Sequence, residues 1–310
     1  MKWLKKGFLY GAGTFDIEWH KKYTMTPLPY LIDDTTLRIY LTMCDSDNIG
    51  RVGYIDVNPN NPSEIKGYSK TPVVDAGERG TFDEHGVIPT SLLKEGDKLY
   101  MFYSAYQRLV GVPYAILSGL AVSTDGGNTF EKITKEVPLL ERRPGELLQR
   151  SAIEVMKQGD TYKMWYTGGL GWIHNGIHEA PKYNLKYLES KDILSWTDEP
   201  EVAMDLKDND EYGLTMPQVF FEDGVYKMIY SVRSISKGYR MGYAESVNGI
   251  HFKRMDDKME IEPTAGEFDS EMICYGKVFS FKDKVYLFYC GNRYGLAGIG
   301  YAELEGSKIG

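Results

Sequence analysis

The sequence predicts an all-β fold, a five-bladed β-propeller with four antiparallel strands in each blade. An aromatic strand motif recurs five times, at offsets of 62, 63, 64 and 59 residues. A fixed period with several copies is typical of a repeat architecture. Short β-rich runs and Gly/Asp turns fill the rest of each repeat, without helical periodicity. The five copies are LRIYLT from Leu37, LYMFYS from Leu99, YKMWYT from Tyr162, YKMIYS from Tyr226 and VYLFYC from Val285.

Each repeat has the same order of elements. An apolar strand such as SAIEVM or MPQVFF comes first, and a turn such as KQGD or EDG joins it to the aromatic strand. A variable loop then leads to a third strand such as RMGYAES. Three repeats add a short fourth strand built on an aromatic residue, in NTFEKI, LSWTDE and IHFKRM. Four short antiparallel strands in a repeat describe one propeller blade.

The last repeat ends at YAELEGSKIG and lacks a fourth strand. The N-terminal residues Trp3 to Lys6 resemble Phe252 to Met255 in residue type. We therefore expect an N-terminal strand to complete the fifth blade and close the ring, which protects sheet edges from aggregation. The alternative is a loose N-terminal tail. With closure, residues 1–310 form a single domain.

Composition limits the possible functions. The chain has 310 residues, 42% of them hydrophobic, which excludes a disordered protein. Its net charge of -8 and the lack of a basic stripe argue against nucleic-acid binding. Cys44, Cys274 and Cys290 lack metal-ligand spacing and indicate reduced thiols. No apolar run has signal-peptide or membrane-spanning length, so we expect a cytoplasmic protein with no membrane partner. We also expect no metal and no cofactor. The oligomeric state is left open.

A set of acidic residues recurs before the first strands of blades two to five. Counting six residues back from an aligned position in those strands reaches an acid each time, at Asp83, Glu146, Glu211 and Asp269. Because first strands line a propeller channel, we expect these acids around one mouth, with Glu271 close by. Crowded carboxylates raise one another's pKa, which lets one act as acid and another as base. The alternative is structural: each acid could accept backbone N–H bonds at a turn.

Basic and aromatic residues follow the second strands. Arginines bind carboxylates or phosphates and a tryptophan can stack on a sugar, so a negatively charged substrate is indicated. Alternatively, the arginines neutralise the acids. In blade one the aligned residue is Lys21, with His20 beside it. The expected substrate-binding residues are His20, His85, Arg108, Arg150, Trp172, His174, Arg233, Asn292 and Arg293.

The repeat of about sixty residues, the strand pairs in YAESVNGIHF and AVSTDGGNTF, and the inward acids resemble the five-bladed propeller glycosidases. These are the arabinanase/xylosidase, invertase/levansucrase and mannoside-phosphorylase groups, and the resemblance covers nearly the whole chain. FDEHGVIPTSLL and FDSEMICYGKVF look more like a bacterial branch associated with surface-polysaccharide genes.

The resemblance implies an enzyme that cleaves or transfers a glycosidic bond of a carbohydrate or sugar-phosphate substrate, as a hydrolase or a phosphorylase. Asp83, Glu211 and Asp269 are then the first candidates for acid and base, followed by Glu146 and Glu271. Arabinanase-like enzymes carry a base on blade one, where this chain has no aligned acid. Phosphorolysis needs fewer enzyme carboxylates, since phosphate itself attacks. The alternative function is a non-catalytic propeller that binds a sugar or sugar nucleotide in surface-polysaccharide assembly.

Overall fold

The computed structural model describes residues 1–306, 308 and 309. Within these residues the regular structure consists of strands, with one 3-10 turn at Asp256–Lys258 and one short helix, α1, at Asn292–Gly295. Tight turns join many of the strands, and longer irregular segments join others, as at 69–86 and 133–149. The strands are β1 Trp3–Tyr10, β2 Lys22–Asp33, β3 Thr36–Cys44, β4 Gly50–Asn58, β5 Asn61–Tyr68, β6 Val87–Glu95, β7 Lys98–Arg108, β8 Tyr114–Ser123, β9 Glu131–Lys132, β10 Arg150–Gln158, β11 Thr161–His174, β12 Glu179–Ser190, β13 Glu201–Met204, β14 Glu211–Glu222, β15 Val225–Ser234, β16 Gly238–Ser246, β17 Lys253–Arg254, β18 Cys274–Phe281, β19 Lys284–Cys290 and β20 Ile299–Leu304.

The strands pair in consecutive antiparallel groups of four, which we call units. Unit 1 is β2–β5, unit 2 is β6–β9, unit 3 is β10–β13 and unit 4 is β14–β17. One parallel pair, Tyr183 with Gly213, links units 3 and 4. Unit 5 contains β18, β19 and β20, with β1 as its fourth strand. The all-β prediction is confirmed.

Strand β1 lies beside β20, as the incomplete last repeat predicts. Trp3 pairs with Leu304 and Lys5 with Ala302 in an antiparallel register. The alternative of a loose N-terminal tail is therefore wrong.

The predicted fourth strands need one addition and one correction. Unit 1 has a fourth strand at Asn61–Tyr68, where no segment was predicted. In unit 3 the fourth strand is Glu201–Met204, not the segment LSWTDE. Trp196 of that segment instead follows the turn at 192–195. Its indole N–H donates to the carbonyl of Ile193, and its ring packs against the hydrophobic core. Aromatic packing alone does not distinguish a strand from a packed loop.

The hydrophobic core lies between neighbouring units. Five buried clusters join units 1 and 2, 2 and 3, 3 and 4, 4 and 5, and 5 and 1. The last of these packs Leu37 and Ile39 of β3 against Tyr286 and Phe288 of β19. The first and last units therefore share a core, just as sequential neighbours do.

The first strands carry a repeated bulge. Thr26, Ala152, Met216 and Tyr275 have φ between 50° and 55°, each next to a register shift. This left-handed conformation costs a non-glycine residue on the order of 1 kcal/mol or more. Bulges of this kind re-aim side chains and are common beside functional sites.

Candidate functional site

A central cavity of about 450 Å³ opens at one end of the molecule. It lies where the first strands begin and where the second and third strands turn, and all five units contribute to its wall. All four bulged residues line it. Because the bulges aim these side chains at one point, the strained backbone of the first strands shapes the cavity.

The wall is aromatic and basic. Its lining residues include seven tyrosines, among them Tyr114, Tyr183 and Tyr239, together with Arg108, Arg233, His85 and His178. None of the described lining residues is Asp or Glu. Such a wall offers positive charge, phenol groups and flat ring faces, but no carboxylate to act as nucleophile or acid.

Arg233 is the most distinctive group of the wall. Only 6% of it is exposed, and in the described part of the chain it forms no ion pair with a carboxylate. Its guanidinium donates to the hydroxyl of Tyr294 at 3.0 Å. It also lies 4.7 Å from the ring of Tyr212 and 5.4 Å from that of Tyr239. Burial opposes its charge, but the surrounding phenols outweigh that effect and raise the pKa of Arg233.

The polar groups around Arg233 are uncharged. The hydroxyls of Tyr183 and Tyr239 form a short hydrogen bond, and burial raises the pKa of both. The charge of Arg233 is therefore balanced only by ring faces and hydroxyl dipoles, which leaves an attractive site for an anion.

His85 lies at the entrance, directly after Glu84. The Nδ1 atom of His85 is 3.5 Å from a carboxylate oxygen of Glu84. Glu84 itself accepts from the backbone of Gly80 and from Gln107 Nε2, and these bonds lower its pKa. Arg108 is exposed at the same entrance, where it donates to the carbonyl of Asp47 at 2.6 Å.

The four recurring acids do not reach the cavity. Asp83 is fully buried, forms an ion pair with Lys132 of β9 at 2.6 Å and accepts from Tyr103 at 3.3 Å. Asp269 repeats this arrangement in unit 5. It pairs with Lys5 of β1 at 2.6 Å and accepts from Tyr289 at 3.0 Å.

Glu146 and Glu211 are held in the same way. Glu146 is 2.9 Å from Nε of Arg150, pairs with Lys186 of β12 and accepts from Tyr166. Glu211 receives both guanidinium branches of Arg254 of β17, at 2.6 and 2.7 Å.

The expectation of an acidic ring that shares the cavity with arginines is therefore wrong. Asp83, Glu146 and Asp269 do precede a first strand and Glu211 begins one. Their side chains, however, turn toward cations of the third or outer strand instead of the channel. Glycines help to make this possible, since a Cβ at Gly119 would stand 2.1 Å from the ring of Tyr103, the partner of Asp83. The arrangement is closer to the structural alternative, with a cation and a tyrosine in place of a turn as the main partners.

Unit 1 contains a histidine where the other units have an acid. Counting six residues back from the bulged residue Thr26 reaches His20, one place before the aligned residue chosen from sequence. The same count from Ala152 and Tyr275 reaches Glu146 and Asp269, whereas from Met216 it reaches Asp210, one place before Glu211. His20 is buried between the hydroxyls of Tyr10, at 3.2 Å, and Thr24, at 2.9 Å. Burial lowers its pKa to about 4, so the ring is neutral.

The other predicted binding residues are scattered. Among the nine, only His85, Arg108 and Arg233 line the central cavity. Arg150 is buried against Glu146, and Trp172 lines a separate groove. The residues outside both cavities are His20, Arg150, His174, Asn292 and Arg293, and Glu271 also lies outside them.

Sequence reasoning missed the tyrosines and Gln149. None of the seven cavity tyrosines belongs to the recurring aromatic strand motif, so the repeat pattern gives no reason to select them. Gln149 directly precedes β10 and is 8% exposed, and its side-chain oxygen has no partner among the described atoms. Its position one residue before a first strand is the only signal that could have singled it out.

An ion pair crosses the interior beneath the cavity. Lys277 of β18 donates to Glu154 of β10 at 2.9 Å and to the carbonyl of Pro217 in β14 at 2.8 Å. The two charged residues follow the cavity residues Tyr275 and Ala152 by two positions. They therefore tie three first strands together below the cavity.

The described residues match neither the pattern of a metal site nor that of a membrane-spanning helix. They contain no group of three or more His, Cys, Asp or Glu side chains placed to hold a metal ion. No helix among them is long and apolar enough for a membrane span. All three cysteines are buried free thiols.

Comparison with curated proteins places the chain in a family. It is 31% identical over 307 residues to the Uncharacterized protein Rv1502 of Mycobacterium tuberculosis, covering 98% of this chain and 100% of the relative. The chain belongs to the Rv1502 family. Uncharacterized protein MT1551, from another strain of the same species, matches this Rv1502-family protein with the same identity and coverage. No family model matches the chain.

Solved structures with the same fold are glycoside hydrolases of the β-propeller superfamily, which confirms the resemblance. A thermostable family-43 glycoside hydrolase has a TM-score of 0.68 at 15% identity, covering 96% of this chain and 92% of its own. A structure from the GH130 family of mannoside phosphorylases has a TM-score of 0.70 at 16% identity, and the match covers 99% of this chain and 95% of that chain. The α-L-arabinofuranosidase PaAbf62A of Podospora anserina, in complex with cellotriose, has a TM-score of 0.69 at 11% identity. The match covers 99% of this chain and 98% of that chain. Identities this low establish the fold alone.

Proposed function

We propose that the five units are the blades of one closed propeller domain spanning residues 1–310. The support is the pairing of β1 with β20 and the five cores that join each unit to the next, including unit 5 to unit 1. The central cavity then lies on the ring axis, where propellers bind their ligands.

Within this propeller, the central cavity binds an anionic carbohydrate, one that carries a phosphate or a carboxylate. The observation that carries the proposal is Arg233, a buried guanidinium at the cavity wall without a carboxylate partner in the described chain. A buried charge is costly unless it is paired, and a ligand anion would supply the partner. The tyrosine rings provide flat faces on which a sugar can pack.

Thermal-shift titrations test this binding. Glucose 1-phosphate and glucuronate should raise the melting temperature with concentration, whereas neutral glucose should have a smaller effect. Arg233→Met should abolish the shift, because it removes the cation that the ligand anion would meet. Arg293→Met, at an exposed arginine outside the cavity, is the matched control. Equal shifts in the Arg233→Met variant and the parent protein would contradict the proposal.

A second candidate is an enzyme that transfers a glycosyl group to phosphate in the same cavity. The observation that favours it is the pair of Glu84 and His85 at the entrance. A phosphate oxygen held by Arg233 would attack the anomeric carbon, the bond to the leaving oxygen would break, and His85 would give that oxygen a proton. No cavity carboxylate is required.

Product formation from a panel of activated glycosides, with and without phosphate, tests the second candidate. His85→Asn should lower the rate by roughly a hundredfold or more, as expected for the loss of a general acid. Asp83→Asn, Glu211→Gln and Asp269→Asn should retain turnover as long as they fold. Loss of turnover in a folded Asp83→Asn protein would instead restore the acid to a catalytic role. A parent protein that binds anionic sugars but forms no product leaves binding as the function.

A further inference from the structure

A second cavity, of about 300 Å³, opens beside the central one, and we call it the rim groove. Its walls are Leu147, Leu148, Leu170, Pro181 and Trp172, and three glycines and Gln149 complete the lining. In the ligand-free molecule, 62% of Leu147 and 42% of Leu170 are exposed. The groove is therefore strongly apolar, unlike the central cavity.

The groove and the central cavity share a wall. Gln149 lines both cavities. Trp172 of the groove packs edge to face on Tyr114 of the central cavity, with ring centroids 5.7 Å apart. A ligand that fills the central cavity and extends past Gln149 would reach the groove without a break.

Gln149 points to a ligand at this junction. Only 8% of it is exposed, and its Oε1 atom has no hydrogen-bond partner among the described residues. A buried acceptor without a partner costs about 1–3 kcal/mol in mutational series. A ligand hydroxyl at the junction would satisfy it.

We infer that the rim groove binds an apolar alkyl or aryl group attached to the anionic sugar of the central cavity. The ligand is then amphiphilic: its anion meets Arg233, a sugar hydroxyl donates to Gln149, and its apolar part covers the leucines. This inference rests on the proposed function, since it extends the same ligand. Removal of the exposed leucine surface from water would add to affinity.

Two pairs of probes test the groove by isothermal titration. Hexyl phosphate is compared with methyl phosphate, and hexyl glucoside with methyl glucoside. In the parent protein each hexyl compound should bind about tenfold more tightly than its methyl partner, because part of the chain is buried. In the Leu147→Glu variant, each hexyl compound should bind about as tightly as its methyl partner. Leu194→Glu is the matched control, since Leu194 is 50% exposed in the same unit but lines neither cavity.

The two probe pairs separate this inference from the proposed function. If methyl and hexyl phosphate bind equally well, and the two glucosides do too, the inference is overturned while anion binding stands. If the glucosides show the hexyl gain and phosphates do not bind, the groove is confirmed and the anionic proposal fails. A Leu147→Glu variant that changes the oligomeric state in light scattering, with no hexyl gain in the parent protein, would show a protein contact and overturn the inference.

Discussion

At the scale of single residues, His20 couples stability to pH. Its ring is neutral in the folded protein because burial lowers its pKa to about 4 from an ordinary value of 6.5. Between these values the unfolded chain binds a proton that the folded protein does not. Stability therefore falls as the pH is lowered from 6.5 to 4.

The change that tests this is His20→Asn, which removes the titrating ring. We expect a smaller loss of unfolding free energy between pH 6.5 and 4 than in the parent protein, measured by urea denaturation at several pH values. His174→Gln, at an exposed histidine, should keep the parent profile. An unchanged pH slope in the His20→Asn protein would mean that other groups cause it.

Residue roles were harder to predict than residue positions. Arg233 and His85 were expected at the mouth, and both line the central cavity. The recurring acids were found by counting along the chain, yet their side chains point away from the cavity. A sequence shows that an acid precedes a strand, but not whether a lysine such as Lys132, far along the chain, is there to meet it.

At the scale of elements, each recurring acid fastens a first strand to its own unit. Asp83 and Asp269 reach the outermost strand through Lys132 and Lys5, with a tyrosine of the second strand between them. The same acid, tyrosine and cation positions recur because the repeat recurs. Their function in the fold is to hold the four strands of a unit together.

Asp83→Asn should therefore destabilise the protein. The change leaves Lys132 mostly buried without its partner, and we expect a loss of about 2 kcal/mol or more in unfolding free energy. Urea denaturation measures it, with Asp16→Asn, at a fully exposed acid, as control. Asp83→Asn combined with Lys132→Met should recover part of the loss. A fully stable Asp83→Asn protein would argue that Asp83 is kept for chemistry instead.

The bulges explain an error of register. The residues counted from sequence in units 1 and 4, Lys21 and Glu211, lie one place after the positions that a count of six from the bulged residues Thr26 and Met216 reaches. Threonine, alanine, methionine and tyrosine rarely adopt positive φ. The residue types at these positions therefore do not predict a bulge. The period, the strand order and the N-terminal strand were predictable because they depend on patterns of many residues.

At the scale of the whole molecule, Lys277 and Glu154 brace the interior from opposite sides of unit 4. Lys277→Met should cost about 3–5 kcal/mol, because it leaves a buried carboxylate unpaired. A double change, Lys277→Met with Glu154→Leu, should be more stable than Lys277→Met alone. Lys253→Met, at an exposed lysine, controls for the substitution. If the single change is harmless in urea denaturation, the brace contributes little.

The place of β1 in unit 5 affects how the protein folds while it is being synthesised. A ribosome makes Trp3 before the strands of units 1 to 4 and its partner Leu304 after them. The earliest strand must therefore wait, unpaired, while every other unit emerges and folds. Contacts between the ends of a chain form late and slowly. A nascent chain stalled before residue 299 should thus expose β1 to chaperones or proteases, and a chain in which β20 has emerged and paired should hide it.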